Sequence, residues 1–148
     1  MTSGPLSFFG EQELRVDPQG RISLPTRFRD ALREGVVLTR GYDRCVAAYA
    51  PRQWEIFASK IASLPLNRAK NRRMRRMSFS EAYDHKADRQ GRILIPVSLR
   101  RYAQISEEVV IAGMGDFLEI WSREAWLQES AFLEEEASLI AEISEEQS

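Results

Sequence analysis

The chain has 148 residues, 43% of them hydrophobic and 29% charged, with one histidine and one cysteine. That composition lets it bury a core, and it excludes an internal disulfide, a four-ligand Cys/His zinc site and any apolar run near the ~20 residues of a membrane-spanning helix. The net charge of −1 conceals a division, +10 over residues 1–101 and −11 over residues 102–148, which reads either as a polyanion-binding body with an acidic tail or as an unevenly charged, solvated surface.

No basic stretch followed by a long apolar one opens the chain, and Cys45 stands alone. Both readings point to the cytoplasm. A strand leads in, with Leu14 and Val16 alternating with polar neighbours. A tight turn follows at Asp17-Pro-Gln-Gly-Arg21, where Gly20 suits a positive φ and Asp17 can accept from backbone N–H groups two residues on. A short strand covers Arg21 to Leu24. Pro25 then opens a short helix to about Arg33. Two strands follow, near Val36–Thr39 and Cys45–Tyr49. A helix comes next, whose Trp54, Phe57, Ala58 and Ile61 share one face.

Residues 68–76 hold six basic side chains in nine and look helical, with Met74, Met77 and Phe79 offering an apolar side. This segment is either an interaction surface, for DNA or for the acidic tail, or a solvated helix face.

The pattern then begins again. Asp17 to Arg29 aligns with Asp88 to Arg100 at seven of 13 positions, where chance at ordinary frequencies gives ~1. The second copy supplies an entering strand at residues 83–87 and the Asp88-Arg-Gln-Gly91-Arg92 turn. It continues with a strand from Arg92 to Ile95, a helix from Val97 to Tyr102 behind Pro96, and strands near Val109–Ala112 and Phe117–Trp121. Trp126 answers Trp54. Ser122 is placed to cap a final helix running through Trp126, Leu133 and Ile140, with a frayed end from Ser144 to Ser148. The acidic helix either folds over a neighbouring subunit or screens the basic face.

The paired Asp-x-x-Gly-Arg turns, each leading to an Ile-x-(Leu/Ile)-Pro strand end, resemble MraZ proteins. So do Phe8-Phe9-Gly10 and the run from Thr39 to Cys45 that leads to Tyr49 and Trp54. The resemblance covers about residues 7–127. It implies an α+β, mainly β fold: two SpoVT–AbrB halves interlocked about a pseudo-two-fold axis into a double-ψ or swapped-hairpin β-barrel with peripheral helices. The boundaries it suggests are 7–54 for the first repeat, 55–82 for an Arg-rich helical connector, 83–126 for the second repeat and 127–148 for an acidic helix or tail. The strand entering the second repeat is more polar than in the family, and the connector is denser in arginine.

The resemblance further implies a nucleoid-associated transcription regulator of the division and cell-wall gene cluster. Such a protein assembles as a ring of identical subunits on repeated boxes in its own operon's promoter. Its partners are double-stranded DNA and itself, with no membrane, cofactor, metal or small-molecule substrate. The DNA-contacting arginines would be Arg21 and Arg92, and Arg15, Asp17, Gly20, Asp88 and Gly91 are expected to join them as DNA-binding residues. An arginine on a tight turn can fork onto a phosphate or onto a guanine edge. The structural alternative is that Arg21 and Arg92 only pair with Asp17 and Asp88. Arg15, Arg27, Arg29 and Arg100 are candidates for phosphate contacts, although Arg29 and Arg100 could equally pack on a helix surface.

Three rival classes compete with this reading. An enzyme would need chemistry from Cys45 and His85, and neither lies in a nucleophile signature; no Gly-rich phosphate loop is present, and Gly113-Met114-Gly115 reads as a hairpin turn. An antitoxin would bind DNA and a toxin together, but usually carries a single half-domain. An assembly protein without a DNA role is disfavoured by the +10 body.

Overall fold

A computed structural model describes residues 6–147. In repeat 1 the elements are β1 (Glu11–Arg15), β2 (Arg21–Ser23), α1 (Thr26–Arg29), β3 (Val36–Arg40), β4 (Val46–Tyr49), α2 (Pro51–Ala62) and α3 (Ala69–Ser80). Repeat 2 supplies β5 (Tyr83–His85), β6 (Arg92–Leu94), α4 (Val97–Tyr102), β7 (Glu108–Gly113), β8 (Leu118–Ser122) and α5 (Arg123–Gln147).

The strands form two antiparallel ladders. One has six strands in the order β1-β7-β8-β4-β3-β5, and the other pairs β2 with β6. Exchanging the repeats maps this order onto itself read backwards, so the molecule has a pseudo-two-fold axis. The axis passes through two cross-strand pairs, Ile22 opposite Ile93 and Ala47 opposite Glu119. Each entering strand pairs with the other repeat, β1 on β7 and β5 on β3. The halves are therefore interlocked, and neither has a complete sheet of its own. The architecture is α+β around a β core, as the resemblance implies.

Alternation explains the layering. On one face of the large sheet Val36, Leu38, Val46, Ala48, Val109, Ile111, Leu118 and Ile120 join Ile22 and Ile93 from the small ladder in one buried core. Pro25 and Pro96 start α1 and α4, which drop Phe28 and Leu99 into the same core. Each such side chain contributes roughly 1.5–3 kcal/mol on burial. The other face, with Thr39, Ala47, Tyr49, Val110, Glu119 and Trp121, is also buried. There Tyr49 meets Trp54 of α2 at 5.9 Å, the Thr39 hydroxyl donates to the Ser78 carbonyl of α3 at 2.7 Å, and Trp121 meets Trp126 of α5 at 5.7 Å.

Some boundaries differ from the sequence reading. The first short helix ends at Arg29, because Asp30 to Glu34 form turns that close at Gly35. The strand after Gly41 begins at Val46 and not at Cys45, whose thiol donates to the Tyr42 carbonyl at 3.1 Å. The polar character of residues 83–85 has a simple cause: β5 is a sheet edge, paired with β3 alone among the described residues. Ser122 caps α5 as expected, accepting from the Ala125 N–H at 3.1 Å. The helix continues past Ser144, where the sequence predicts fraying, to Gln147, and Ser148 lies outside the described residues.

Candidate nucleic-acid interface

The two Asp-x-x-Gly-Arg turns have the same geometry. Asp17 accepts the backbone N–H groups of Gln19 and Arg21 at 2.9 Å on one oxygen and the Arg21 Nε–H at 2.7 Å on the other. Asp88 repeats the pattern, with Gln90 and Arg92 N–H groups at 2.9 Å and Arg92 Nε at 2.8 Å. Gly20 and Gly91 stand at φ +88° and +76°, conformations that cost an L side chain about 1–2 kcal/mol. The backbone bonds, led by the N–H of Arg21 or Arg92, hold both carboxyls below the usual aspartate range.

The repeats stitch these turns to one another. The Gly20 carbonyl accepts from Ile95 N–H at 2.9 Å, and the Gly91 carbonyl accepts from Leu24 N–H at 2.8 Å. Arg100 lays its guanidinium on the α-carbon of Gly20 while its Nε donates to the Ile95 carbonyl at 2.9 Å. Arg29 does the same for Gly91, donating to the Leu24 carbonyl at 2.9 Å. Each turn is thus clamped by an arginine from the opposite repeat.

The ladder of β2 and β6 places the turn arginines together. Ile22 and Ile93 face the core, so Arg21, Ser23, Arg92 and Leu94 face outward. Arg21 stands opposite Leu94 and Arg92 opposite Ser23, which makes the arginines diagonal neighbours, about 7–8 Å apart at Cα in such a pairing. Asp17 and Asp88 take only the Nε–H of each fork, and both arginine side chains stay about one-third exposed, at 29% and 31%. The paired arginines and the structural ion pairs coexist in one arrangement.

The remaining candidates separate. Arg15 is exposed at the end of β1, and lines one open groove with Asp17, Pro18 and Arg100. Arg27 packs over the Phe28 ring at 4.8 Å and against Gly10; Ser98 holds the equivalent position in repeat 2, so this arginine lacks a symmetric mate. Sequence reasoning missed Arg89, an exposed cation at the tip of the second turn where the first has Pro18. It also missed Ser23 and Leu94 between the arginines, although period-two alternation from Arg21 and Arg92 would have found both. The basic segment 68–76 lies with α3 on the sheet face opposite the small ladder, away from this site.

Cys45 and His85 lie at opposite ends of β3, since Arg40 pairs with Val46 and Val36 with His85. Among the described residues no cluster of three or more His, Cys, Asp or Glu side chains could hold a metal, and no helix is long and apolar enough to cross a membrane.

Comparison with known proteins agrees with this two-fold organisation. The family model described as "MraZ protein, putative antitoxin-like" matches twice, over residues 7–77 and 78–147. The chain is 46% identical over 135 residues to the "Transcriptional regulator MraZ" of Roseiflexus castenholzii, covering 91% of this chain and 94% of that relative. It is 44% identical, with the same coverage, to the protein of that name from Roseiflexus sp. strain RS-1. A third relative of the same name, from Pelotomaculum thermopropionicum, is 44% identical over 119 residues, 80% of this chain and 82% of the relative.

Proposed function

The chain belongs to the MraZ family, and on that premise we propose that it is a transcription regulator that binds double-stranded promoter DNA through the outer face of the β2–β6 ladder. The observation that carries this reading is the pairing of Arg21 and Arg92 across the pseudo-two-fold axis on one exposed ribbon, each oriented by its own aspartate. A two-stranded ribbon fits the major groove. There a pre-oriented guanidinium either forks onto O6 and N7 of guanine or grips a phosphate. Arg15 and Arg89 flank the ribbon with exposed charge and supply sequence-independent attraction. Arg29 and Arg100 act mainly by holding the turns.

The DNA in this reading is the promoter region of the protein's own division and cell-wall operon, with repeated boxes engaged by a ring of subunits. Fluorescence anisotropy on a labelled fragment of that region, across a salt series, tests it. Wild type should bind, and Arg21→Ala and Arg92→Ala should each lose affinity by about 1–3 kcal/mol if the contact is to a base, or flatten the salt slope by about one unit if it is to a phosphate. Light scattering checks that assembly survives. Unchanged binding by both variants would move DNA recognition off the ladder. Co-purification of a small toxin with the wild type would instead favour the antitoxin reading.

A further inference from the structure

The repeats diverge after their last strands. In repeat 1 the chain turns back at Ser63, and α3 packs beside α2, with Phe79 edge-on to Trp54 at 5.8 Å. In repeat 2, α5 starts at the position equivalent to α2 but runs on as one helix of 25 residues, about 37 Å long. Trp126, the counterpart of Trp54, meets Trp121, and α5 packs on β7 and β8, with no second helix beside it in the role of α3 among the described residues.

The distal part of α5 carries the signature of a missing neighbour. Phe132, Leu133, Leu139, Ile140 and Ile143 share one side of the helix and are 42–56% exposed. Glu134, Glu135, Glu142 and Glu146 accompany them, and residues 123–147 hold eight acidic side chains against one arginine. Two such helices pairing with each other would set acid against acid. The matching surface is α3, which exposes Lys70, Arg72, Arg73 and Arg76 around half-buried Met74 and Met77. Within one chain the two helices sit on different halves of the sheet, α3 on β3 and α5 on β7 and β8.

We propose that the distal half of α5, residues 132–146, docks along the basic face of α3 of a second copy of this chain. The contact joins two different surfaces, so repetition of it generates a ring when the rotation closes. The proposal rests on the self-assembly in the functional reading above and names the surfaces that perform it. It also gives the basic segment a role apart from DNA.

The test uses the full chain and two charge reversals. One carries Arg72→Glu, Arg73→Glu and Arg76→Glu on α3; the other carries Glu134→Arg, Glu135→Arg and Glu142→Arg on α5. Size-exclusion with light scattering should show wild type as a multimer and each variant alone at the 17.0 kDa of a single chain. An equimolar mixture should reassemble, because each variant then offers the surface that the other needs. Reassembly also shows that both are folded, and circular dichroism checks each separately. Ile140→Ser, on the exposed stripe, should weaken assembly without changing charge. Either reversal assembling like wild type, or a mixture that stays dissociated, overturns the proposal. A wild type that is monomeric at every concentration overturns the self-assembly reading along with it. Single-box DNA affinity of the α3 variant should match that of wild type; a loss of affinity with assembly intact would make α3 a DNA surface instead.

Discussion

The guanidinium of Arg100 rests on the α-carbon of Gly20: a β-carbon built there would stand 2.6 Å from Arg100 Cζ. One residue thereby ties the helix behind the second ladder strand to the turn that begins the first. Gly20→Ala therefore meets two penalties, a left-handed backbone and a displaced guanidinium. The expected loss is about 1–3 kcal/mol of stability, read by denaturant unfolding. In an Arg100→Ala background the steric part disappears and only the backbone part remains, so the two substitutions should be non-additive. Strict additivity would show that the clamp carries no energy.

The aspartates of the turns give a pH signature. Both carboxyls lie below their ordinary value of 3.8, chiefly through the backbone N–H of Arg21 or Arg92. A depressed pKa contributes stability that is present above the unfolded value and lost as pH falls through the folded one. The turns should therefore be indifferent to pH from 8 to 5 and weaken only in acid below 3.8. Carbon-detected NMR titration of the two carboxylates measures this directly. A midpoint at or above the ordinary value for both would contradict the hydrogen bonding seen here.

How far the sequence disclosed this arrangement depends on the range of the interaction. Local rules reached the turns, the proline-started helices and the Ser122 cap, because each is set by residues within four positions of one another. Alternation reached the core faces, since Ile22 and Ile93 had to oppose Arg21 and Arg92. It did not disclose that β1 crosses to β7, or that β5 crosses to β3. Side-chain period fixes which face a residue takes and says nothing about which strand lies beside it. The same gap hid the roles of Arg29 and Arg100: both clamp turns 62 and 80 positions distant in the chain, beyond any local pattern.

The proposed multivalent binding makes a quantitative claim. A subunit offers one small ribbon with two turn arginines, a modest surface for a specific site. Binding to one promoter box should be weak, and binding to a correctly spaced array should be tighter by ~10²–10⁴ through effective concentration alone. Anisotropy with one-box and three-box duplexes of equal length makes the comparison. Equal affinity for the two would rule out the assembled mode of binding.

The pseudo-two-fold axis also passes through an unequal pair, Ala47 facing Glu119. Glu119 is 8% exposed and accepts from Trp121 Nε1 at 3.0 Å, and burial raises its pKa above the usual 4.5. A raised carboxyl favours folding fully below the unfolded pKa and loses that contribution as pH rises through the folded value. Wild type should thus lose stability as pH climbs out of the ordinary glutamate range towards neutrality. Glu119→Gln keeps an acceptor for Trp121 and removes the charge, so it should flatten this dependence and raise the melting temperature at pH 7. Glu119→Ala matches the residue across the axis but strands a buried indole N–H, which costs roughly 1–3 kcal/mol. The order at neutral pH should therefore place the glutamine variant above the alanine variant, measured by thermal melts from pH 4 to 8. An alanine variant at least as stable as the glutamine variant would mean that the Trp121 bond carries no weight. A wild-type profile as flat as that of the glutamine variant would mean that the buried carboxylate is solvated after all.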